Sequence, residues 1–201
     1  MPYVLTVDQR GSRRGRDLVD EGIAVLRRRI PAPTLPFERT AGDEFQGMLA
    51  DAADAVDAAL ALVRHGSWSV GLGVGPADEP LPASTRTARG PAFVHARSAL
   101  DEAKQRTHHV AVVGADEYAH DADAVLSLLA AVLARRTDTG WEAVDLMAEA
   151  HTFADAAERL GVSRQAVGQR LAVALWQQER DVRPVVARLL AKSERAAGRT
   201  R

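Results

Sequence analysis

The stretch RTAGDEFQGML, residues 39–49, places a glycine and two carboxylates between two short runs of alternating polarity. The run before it, residues 37–41, alternates Phe37, Arg39 and Ala41 with polar neighbours, and EFQGMLA alternates again after Gly42. Two alternating runs joined by a glycine-containing pair predict a β-hairpin. Two interpretations of Asp43 and Glu44 follow: they hold a metal ion, or Asp43 belongs to an ordinary Gly-Asp turn and Glu44 is a solvated strand residue.

Around the hairpin, strand-like and helix-like segments alternate through the first half of the chain. The order is β-α-β-β-α-β-α-β, and its first six elements match the ferredoxin-like arrangement, an antiparallel sheet whose helices share one face. The sequence therefore predicts an α+β fold: a ferredoxin-like βαββαβ domain followed by an all-α helix-turn-helix domain. The remaining predicted segments are strands near 3–7, 68–76 and 108–114 and helices near 17–30, 51–65 and 90–105.

The second half of the chain contains only helical patterns. One helix is expected at about 122–136, and its apolar face either forms a dimer contact or packs on the sheet. Thr139 and Thr152 each begin an [ST]-x-x-[DE] pattern, which predicts a capped helix start, and Ser163 and Pro184 mark two further starts. We expect a sheet domain at 1–118, a connecting helix at 119–138 and a helix-turn-helix domain with a basic, polar tail at 139–201.

The composition is that of an ordinary globular protein, with 46% hydrophobic and 26% charged residues among 201. The absence of cysteine excludes disulfides, cysteine-ligated zinc and a cysteine nucleophile, and it fits the cytoplasm. No signal-peptide pattern begins the sequence, and the apolar run at 124–134 is too short to cross a bilayer of about 30 Å. A cytoplasmic protein without a membrane partner is expected.

The segment TFADAAERLGVSRQAVGQRLAVAL, residues 152–175, predicts a helix-turn-helix. Gly161 can end the first helix in the left-handed conformation, and Ser163 can cap the second. Val167 and Leu171, four residues apart, would face the core, which leaves Arg164, Gln165, Gly168, Gln169 and Ala172 pointing outward. The alternative is a helical hairpin that packs against the first domain and never meets DNA.

The outward residues have side chains that suit a major groove. Arg can bridge guanine O6 and N7, and Gln can bridge adenine N6 and N7. Hydroxyls at helix N-termini favour phosphate. The candidate DNA-binding residues are Thr152, Ser163, Arg164, Gln165, Gln169 and Arg170.

Three carboxylates and an arginine-rich loop are the other candidate site. Asp8 would end a strand beside the hairpin tip, where with Asp43 and Glu44 it could bind Mg²⁺. The loop DQRGSRRGR, residues 8–16, could hold a phosphate through Arg10, Arg13 and Arg14, or it could simply be solvated. It lacks the Lys-[Ser/Thr] ending of a P-loop.

Three stretches resemble known families. AAERLGVSRQAVGQRL, residues 156–171, resembles the helix-turn-helix of sigma-factor and repressor families. TAGDEFQGML, residues 40–49, resembles the Gly-Gly-Asp-Glu-Phe hairpin of diguanylate cyclases and the hairpin of class III nucleotidyl cyclases. Residues 68–104 resemble the strand, glycine-rich turn and helix of those cyclases, and the whole chain resembles the SatD family of bacterial proteins. The resemblance implies that Asp8 and one of Asp43 or Glu44 are metal ligands.

The chain also departs from the cyclase pattern. Ala41 replaces the first glycine of the signature, Val94 stands where cyclases have an Asn that supports the transition state, and Ser98 replaces an Arg, with Arg97 one position early. These changes remove groups that would orient and stabilise a transferring phosphoryl group. Arg97 remains a candidate phosphate ligand.

These observations predict a DNA-binding transcriptional regulator. Its catalytically degenerate cyclase-like domain would sense a ligand or mediate dimerisation, and the expected partners are double-stranded DNA, a nucleotide ligand and a second copy of the chain. No cofactor is identified outright, and Mg²⁺ with a nucleotide is the candidate. The alternatives are a metal-dependent nucleotidyl cyclase-like enzyme and a protein-interaction module.

Overall fold

The computed structural model describes residues 2–12, 15–150 and 152–198, and side chains as far as Ser193. Within that part of the chain five strands and eight helices alternate and then give way to helices alone, which confirms the predicted α+β class. The strands are β1 Tyr3–Gln9, β2 Leu35–Arg39, β3 Glu44–Leu49, β4 Trp68–Val74 and β5 Val110–Val113. The helices are α1 Val19–Arg29, α2 Ala52–His65, α3 Pro91–Gln105, α4 Glu117–Ala134, α5 Asp138–Glu149, α6 Phe153–Leu160, α7 Arg164–Val173 and α8 Trp176–Gly198.

The strands form one mixed sheet in the order β2-β3-β1-β4-β5. Strands β1 to β4 pair with one another in antiparallel orientation, and β5 runs parallel to β4. A parallel neighbour needs a crossover connection, and α3 supplies it. The central strand β1 pairs on both sides, so it places Asp8 between Glu44 of β3 and Ser69 of β4.

Helices cover both faces of the sheet, and the alternation of side chains along each strand separates two cores. Leu5 and Val7 of β1 belong to the larger core, which α1, α2, α4 and α8 complete. Val4 belongs to a second core against α3 on the opposite face. Asp8 therefore shares the α3 face with Val4.

Glycines in β4 bring α3 unusually close to the sheet. A Cβ added at Gly71 or Gly73 would overlap backbone atoms of Ala96 in α3. Because no side chain separates the two elements, the polar residues of α3 near the sheet edge reach the carboxylates of β1 and β3. This contact fixes the geometry of the carboxylate cleft described below.

The helix-turn-helix has a small core of its own, formed by Ala143, Ala156, Val167 and Leu171. It follows α4 in the chain, and α8 returns from it to pack on α4 and α2. No helix in the described ranges is long and apolar enough to span a membrane.

Three predicted helix starts are wrong. The helix expected from Thr139 is capped two residues earlier, because Thr137 Oγ1 accepts a hydrogen bond from Gly140 N at 3.2 Å and caps α5 instead. The helix expected near 122 begins at Glu117, capped by Asp116. The last helix begins at Trp176 and contains Pro184, and burial of its later apolar residues on the larger core offsets the hydrogen bond that proline removes.

Candidate nucleic-acid interface and carboxylate cleft

The turn between α6 and α7 has the predicted capping geometry. Thr152 Oγ1 accepts from Asp155 N at 3.2 Å, and the Asp155 carboxylate accepts from Thr152 N at 2.9 Å, so a full capping box begins α6. Gly161 ends α6 with φ +63°, where a side chain would be strained. Ser163 Oγ then accepts from Ala166 N at 3.1 Å and caps α7. Both helix starts and the angle between the helices are thereby fixed.

One face of α7 is buried and the opposite face is open. Val167 and Leu171 are buried in the small core, as predicted. Arg164, Gln165 and Gln169 are exposed, and within the described part of the chain their side chains make no ion pair or hydrogen bond. Their donors and acceptors are therefore free to meet another molecule.

The other candidate DNA-binding residues are already engaged. The Thr152 and Ser163 hydroxyls accept backbone hydrogen bonds, although each retains an O–H that can donate to a phosphate. Arg170 donates to Glu142 Oε2 at 2.9 Å and is half-buried. It would have to exchange this carboxylate for a phosphate in order to contact DNA.

On the α3 face of the sheet, the structure brings Asp8 and Glu44 together. They face each other in the β1–β3 register, and each is bound by a cation from α3. The Arg97 guanidinium makes a two-pronged contact with the Glu44 carboxylate, with N–O distances of 2.5 and 2.6 Å. Lys104 Nζ lies 3.0 Å from Asp8 Oδ1. Arg97 and Lys104 are seven residues apart, about two helical turns, so both project from one side of α3.

The ion pairs Glu44–Arg97 and Asp8–Lys104 affect the roles predicted for Glu44, Arg97 and Asp8. Glu44 is only 8% exposed, so the interpretation as a solvated strand residue is wrong. Its hydrogen bonds with Arg97 raise the pKa of that guanidinium, and 50% of the Arg97 side chain stays exposed. No group of three or more His, Cys, Asp or Glu side chains in the described ranges is arranged to hold a metal ion. A cation at Asp8 and Glu44 would displace both ion pairs, and the metal assignment stays a prediction.

The cleft beside Asp8 is open and has a volume of about 830 Å³. Its lining includes Gly11, Ser12, Asp43 and Lys104, together with Asp8. The backbone carbonyl of Asp43 accepts from Gln9 N at 3.1 Å, which ties the hairpin tip to the end of β1.

Neither Arg10 nor Arg97, the two predicted phosphate-binding arginines that the structure describes, lines this cleft. Arg10 N donates to Ser67 O at 2.8 Å, and its guanidinium donates to Gly66 O at 3.0 Å, so it points toward the end of α2. Arg97 is held by Glu44, as described above. Arg13 and Arg14 lie outside the described residues.

The sequence patterns do not predict the cluster of arginine and tryptophan side chains that forms a junction between the sheet and the helix-turn-helix. The ring of Trp141 lies between two guanidinium groups, with Arg64 Cζ at 3.9 Å and Arg136 Cζ at 4.3 Å from the ring centroid. Arg64 also makes two hydrogen bonds of 2.6 Å with the carboxylate of Asp145. Arg64 is distant in sequence from the other three residues, and no local pattern marks it as their neighbour.

Arg136 is the centre of this junction. Its side chain is fully buried and donates from Nε and Nη2 to Ala174 O, at 3.1 and 2.8 Å. Nη2 also lies 2.6 Å from an oxygen of Glu179, which is itself buried. Ala174 follows the last residue of α7, so Arg136 holds the end of the helix that carries the exposed face.

Comparison with protein-family models, with curated proteins and with solved structures found no match to this chain.

Proposed function

We propose that this chain is a DNA-binding transcriptional regulator, in which α7 reads the major groove and the sheet domain senses a ligand or mediates dimerisation. The observation that carries the proposal is the exposed and unpaired face of α7, with Arg164, Gln165 and Gln169 on a helix whose start is fixed by Gly161 and Ser163.

The chemistry of that face suits base recognition. A major groove about 12 Å wide admits an α-helix, and the N-terminal residues of a recognition helix reach the base edges. Arg164 and Gln165 are the first two residues of α7, and Gln169 lies one turn further on the same side. Gly168 lies between them, and a Cβ there would have only a ring atom of Phe153 nearby, at 4.0 Å. Because Gly168 has no side chain, a base pair can approach this part of the helix closely.

Contacts to the DNA backbone would fix the register. The Thr152 and Ser163 hydroxyls lie at the N-termini of α6 and α7, where free backbone N–H groups and the helix dipole favour a phosphate. One recognition helix offers a small interface, so binding as a homodimer to two half-sites about one helical turn apart is the expected arrangement.

We propose a ferredoxin-like, cyclase-like assignment for the sheet domain, in line with the resemblance to the SatD family. The antiparallel order β2-β3-β1-β4 and the shared face of α1 and α2 support it. The ion pairs Glu44–Arg97 and Asp8–Lys104 support a domain without turnover, because each carboxylate is neutralised by its own chain. Val94, at the position of the cyclase Asn, is 65% exposed and has no polar group to offer a nucleotide.

A metal-dependent nucleotidyl enzyme is the second candidate, and the open cleft lined by Asp8 and Asp43 favours it. The test is incubation of the protein with Mg²⁺ or Mn²⁺ and each nucleoside triphosphate, followed by chromatography. Turnover by the wild type that is lost in Asp8→Ala would establish the enzyme and displace our first proposal for the sheet domain.

The DNA-binding proposal is tested by selecting genomic fragments that bind the full chain and measuring their affinity by fluorescence anisotropy at several salt concentrations. Arg164→Ala should weaken binding to the selected site by about 1–3 kcal/mol. Arg188→Ala is the matched control, because Arg188 is an exposed arginine on α8 outside the α6–α7 pair. Absence of salt-sensitive DNA binding, or equal affinities for the two variants, would contradict the proposal.

A further inference from the structure

A cavity of about 290 Å³ lies where the sheet domain meets the helix-turn-helix. Its walls come from the residue after β1, the end of α2, the start of β4, the residues before β5, the end of α4 and α5. This volume is just below the range for small-molecule sites, about 300–1,000 Å³. The cavity is separate from the carboxylate cleft, and none of its described lining residues is shared with that cleft.

Polar atoms without a hydrogen-bond partner are concentrated on the residues that line this cavity. Of the five such buried side-chain atoms in the described ranges, three belong to its lining: Arg136 Nη1, Trp68 Nε1 and His109 Nδ1. The Arg136 side chain is fully buried and Trp68 is 1% exposed, and both of their unpartnered atoms are obligate donors. A buried donor without an acceptor costs about 1–3 kcal/mol, so an acceptor that reached these donors would stabilise the fold.

The charge of the lining selects the kind of acceptor. None of the described lining residues is acidic, and three are arginines. Arg64 and Arg136 are paired with Asp145 and Glu179 outside the lining, whereas Arg10 has no acidic partner among the described residues. Burial lowers the pKa of His109, and the positive charge of Arg10 lowers it further. Donors, positive charge and a small volume together match an oxyanion, and arginine is the side chain best suited to phosphate and carboxylate groups.

We propose that this cavity binds the oxyanion group of a small ligand, a phosphate or a carboxylate, between the sheet domain and the helix-turn-helix. Arg136 is the link to α7, because the residue lines the cavity and its buried guanidinium holds Ala174 O. Oxyanion binding itself is independent of the proposed DNA-binding function, and only its consequence for α7 depends on that function.

The experiment is calorimetry on the full chain with inorganic phosphate, acetate or chloride at matched ionic strength. Phosphate or acetate should bind where chloride does not, and the stronger of the two identifies the oxyanion class. Arg10→Gln should weaken that binding at least tenfold, and Arg10 is exposed, so the substitution should not disturb folding. Arg27→Gln is the control, because Arg27 is an exposed arginine on α1 that does not line the cavity.

A second measurement locates the bound anion. His109 should titrate at higher pH in saturating phosphate or acetate than in chloride, because a bound anion favours the imidazolium form. Equal heats for all three anions, equal binding by the two arginine variants, or an unchanged His109 titration would overturn the proposal. DNA binding that is lost in Arg164→Ala would stand in each of these cases.

Discussion

Replacement of Glu179 by glutamine should destabilise the fold strongly. Glu179 is 4% exposed and lies between two arginines: Oε2 accepts from Arg136 Nη2 at 2.6 Å, and Oε1 accepts from Arg183 Nε at 2.8 Å. Arg183 keeps a second carboxylate, that of Asp57, in the variant. Arg136 has no other acidic partner among the described residues, so its guanidinium would stay buried with its charge uncompensated.

The structure sets the size of the effect. Breaking a buried ion pair by removing one partner costs about 3–5 kcal/mol. For a chain of this length each kcal/mol corresponds to roughly 2–4 °C in Tm, so the variant should melt ~6–20 °C below the wild type. Gln keeps the shape and one hydrogen bond of Glu, which makes loss of charge the main change.

Urea unfolding followed by tryptophan fluorescence measures the free energy of unfolding. The control is Glu142→Gln, the same chemical change at the ion pair with Arg170, where the glutamate side chain is 55% exposed. Exposed pairs contribute about 0–1 kcal/mol. If Glu179→Gln is no more destabilising than Glu142→Gln, the argument that Arg136 depends on Glu179 for its neutralisation is refuted.

The same pair predicts a pH dependence. Burial raises the pKa of Glu179, but attraction to Arg183 and the hydrogen bonds and charge of Arg136 outweigh burial, and the net pKa is below the usual 4.5. A carboxyl group with a lowered pKa stabilises the fold above its unfolded-state pKa, and this contribution is lost as the pH falls through the folded-state pKa. The stability difference between wild type and Glu179→Gln should therefore be constant near neutral pH and shrink below about pH 4.5.

Two further substitutions test the packing of α3 and the proposed DNA-binding face of α7. Gly73→Ala should destabilise the sheet domain by about 1–3 kcal/mol, because the added Cβ would overlap the backbone of Ala96. The backbone of a packed helix cannot move aside as a flexible side chain can. Thermal unfolding of the variant and the wild type measures the loss of stability. Glu142→Gln should free Arg170 for a phosphate, so anisotropy titrations should show tighter DNA binding with a salt slope steeper by about 1; an unchanged slope would mean that Arg170 makes no backbone contact.

Features with a local cause were predictable from the sequence. The hairpin around Gly42 follows from period-two alternation on each side of a turn residue. The start of α7 follows from Gly161, which ends one helix, and Ser163, whose hydroxyl begins the next two residues later. Each of these signals acts within a few residues, so no knowledge of the tertiary fold was needed.

Features that depend on packing between distant segments were not predictable. Arg97 and Glu44 are 53 positions apart, and only the close approach of α3 to β4 brings them together. The sequence does not indicate that α3 packs against the glycines that allow this approach. Pro184 was expected to begin a helix, and its place inside α8 depends on apolar contacts with α4 and the sheet that no local pattern contains.

The position of α7 depends on both halves of the chain, and this limits how a ligand could act on DNA binding. Arg64 of α2 contacts Asp145 and Trp141 of α5, and Arg136 binds the end of α7. These side-chain contacts attach the helix-turn-helix to the rest of the chain. A ligand near Arg136 changes DNA affinity only to the extent that it binds two arrangements of this junction differently. The coupling is reciprocal: if an oxyanion changes DNA affinity tenfold, DNA must change oxyanion affinity tenfold. Calorimetry in the presence and absence of a selected DNA fragment therefore measures the coupling directly, and equal oxyanion affinities would mean that the junction transmits nothing.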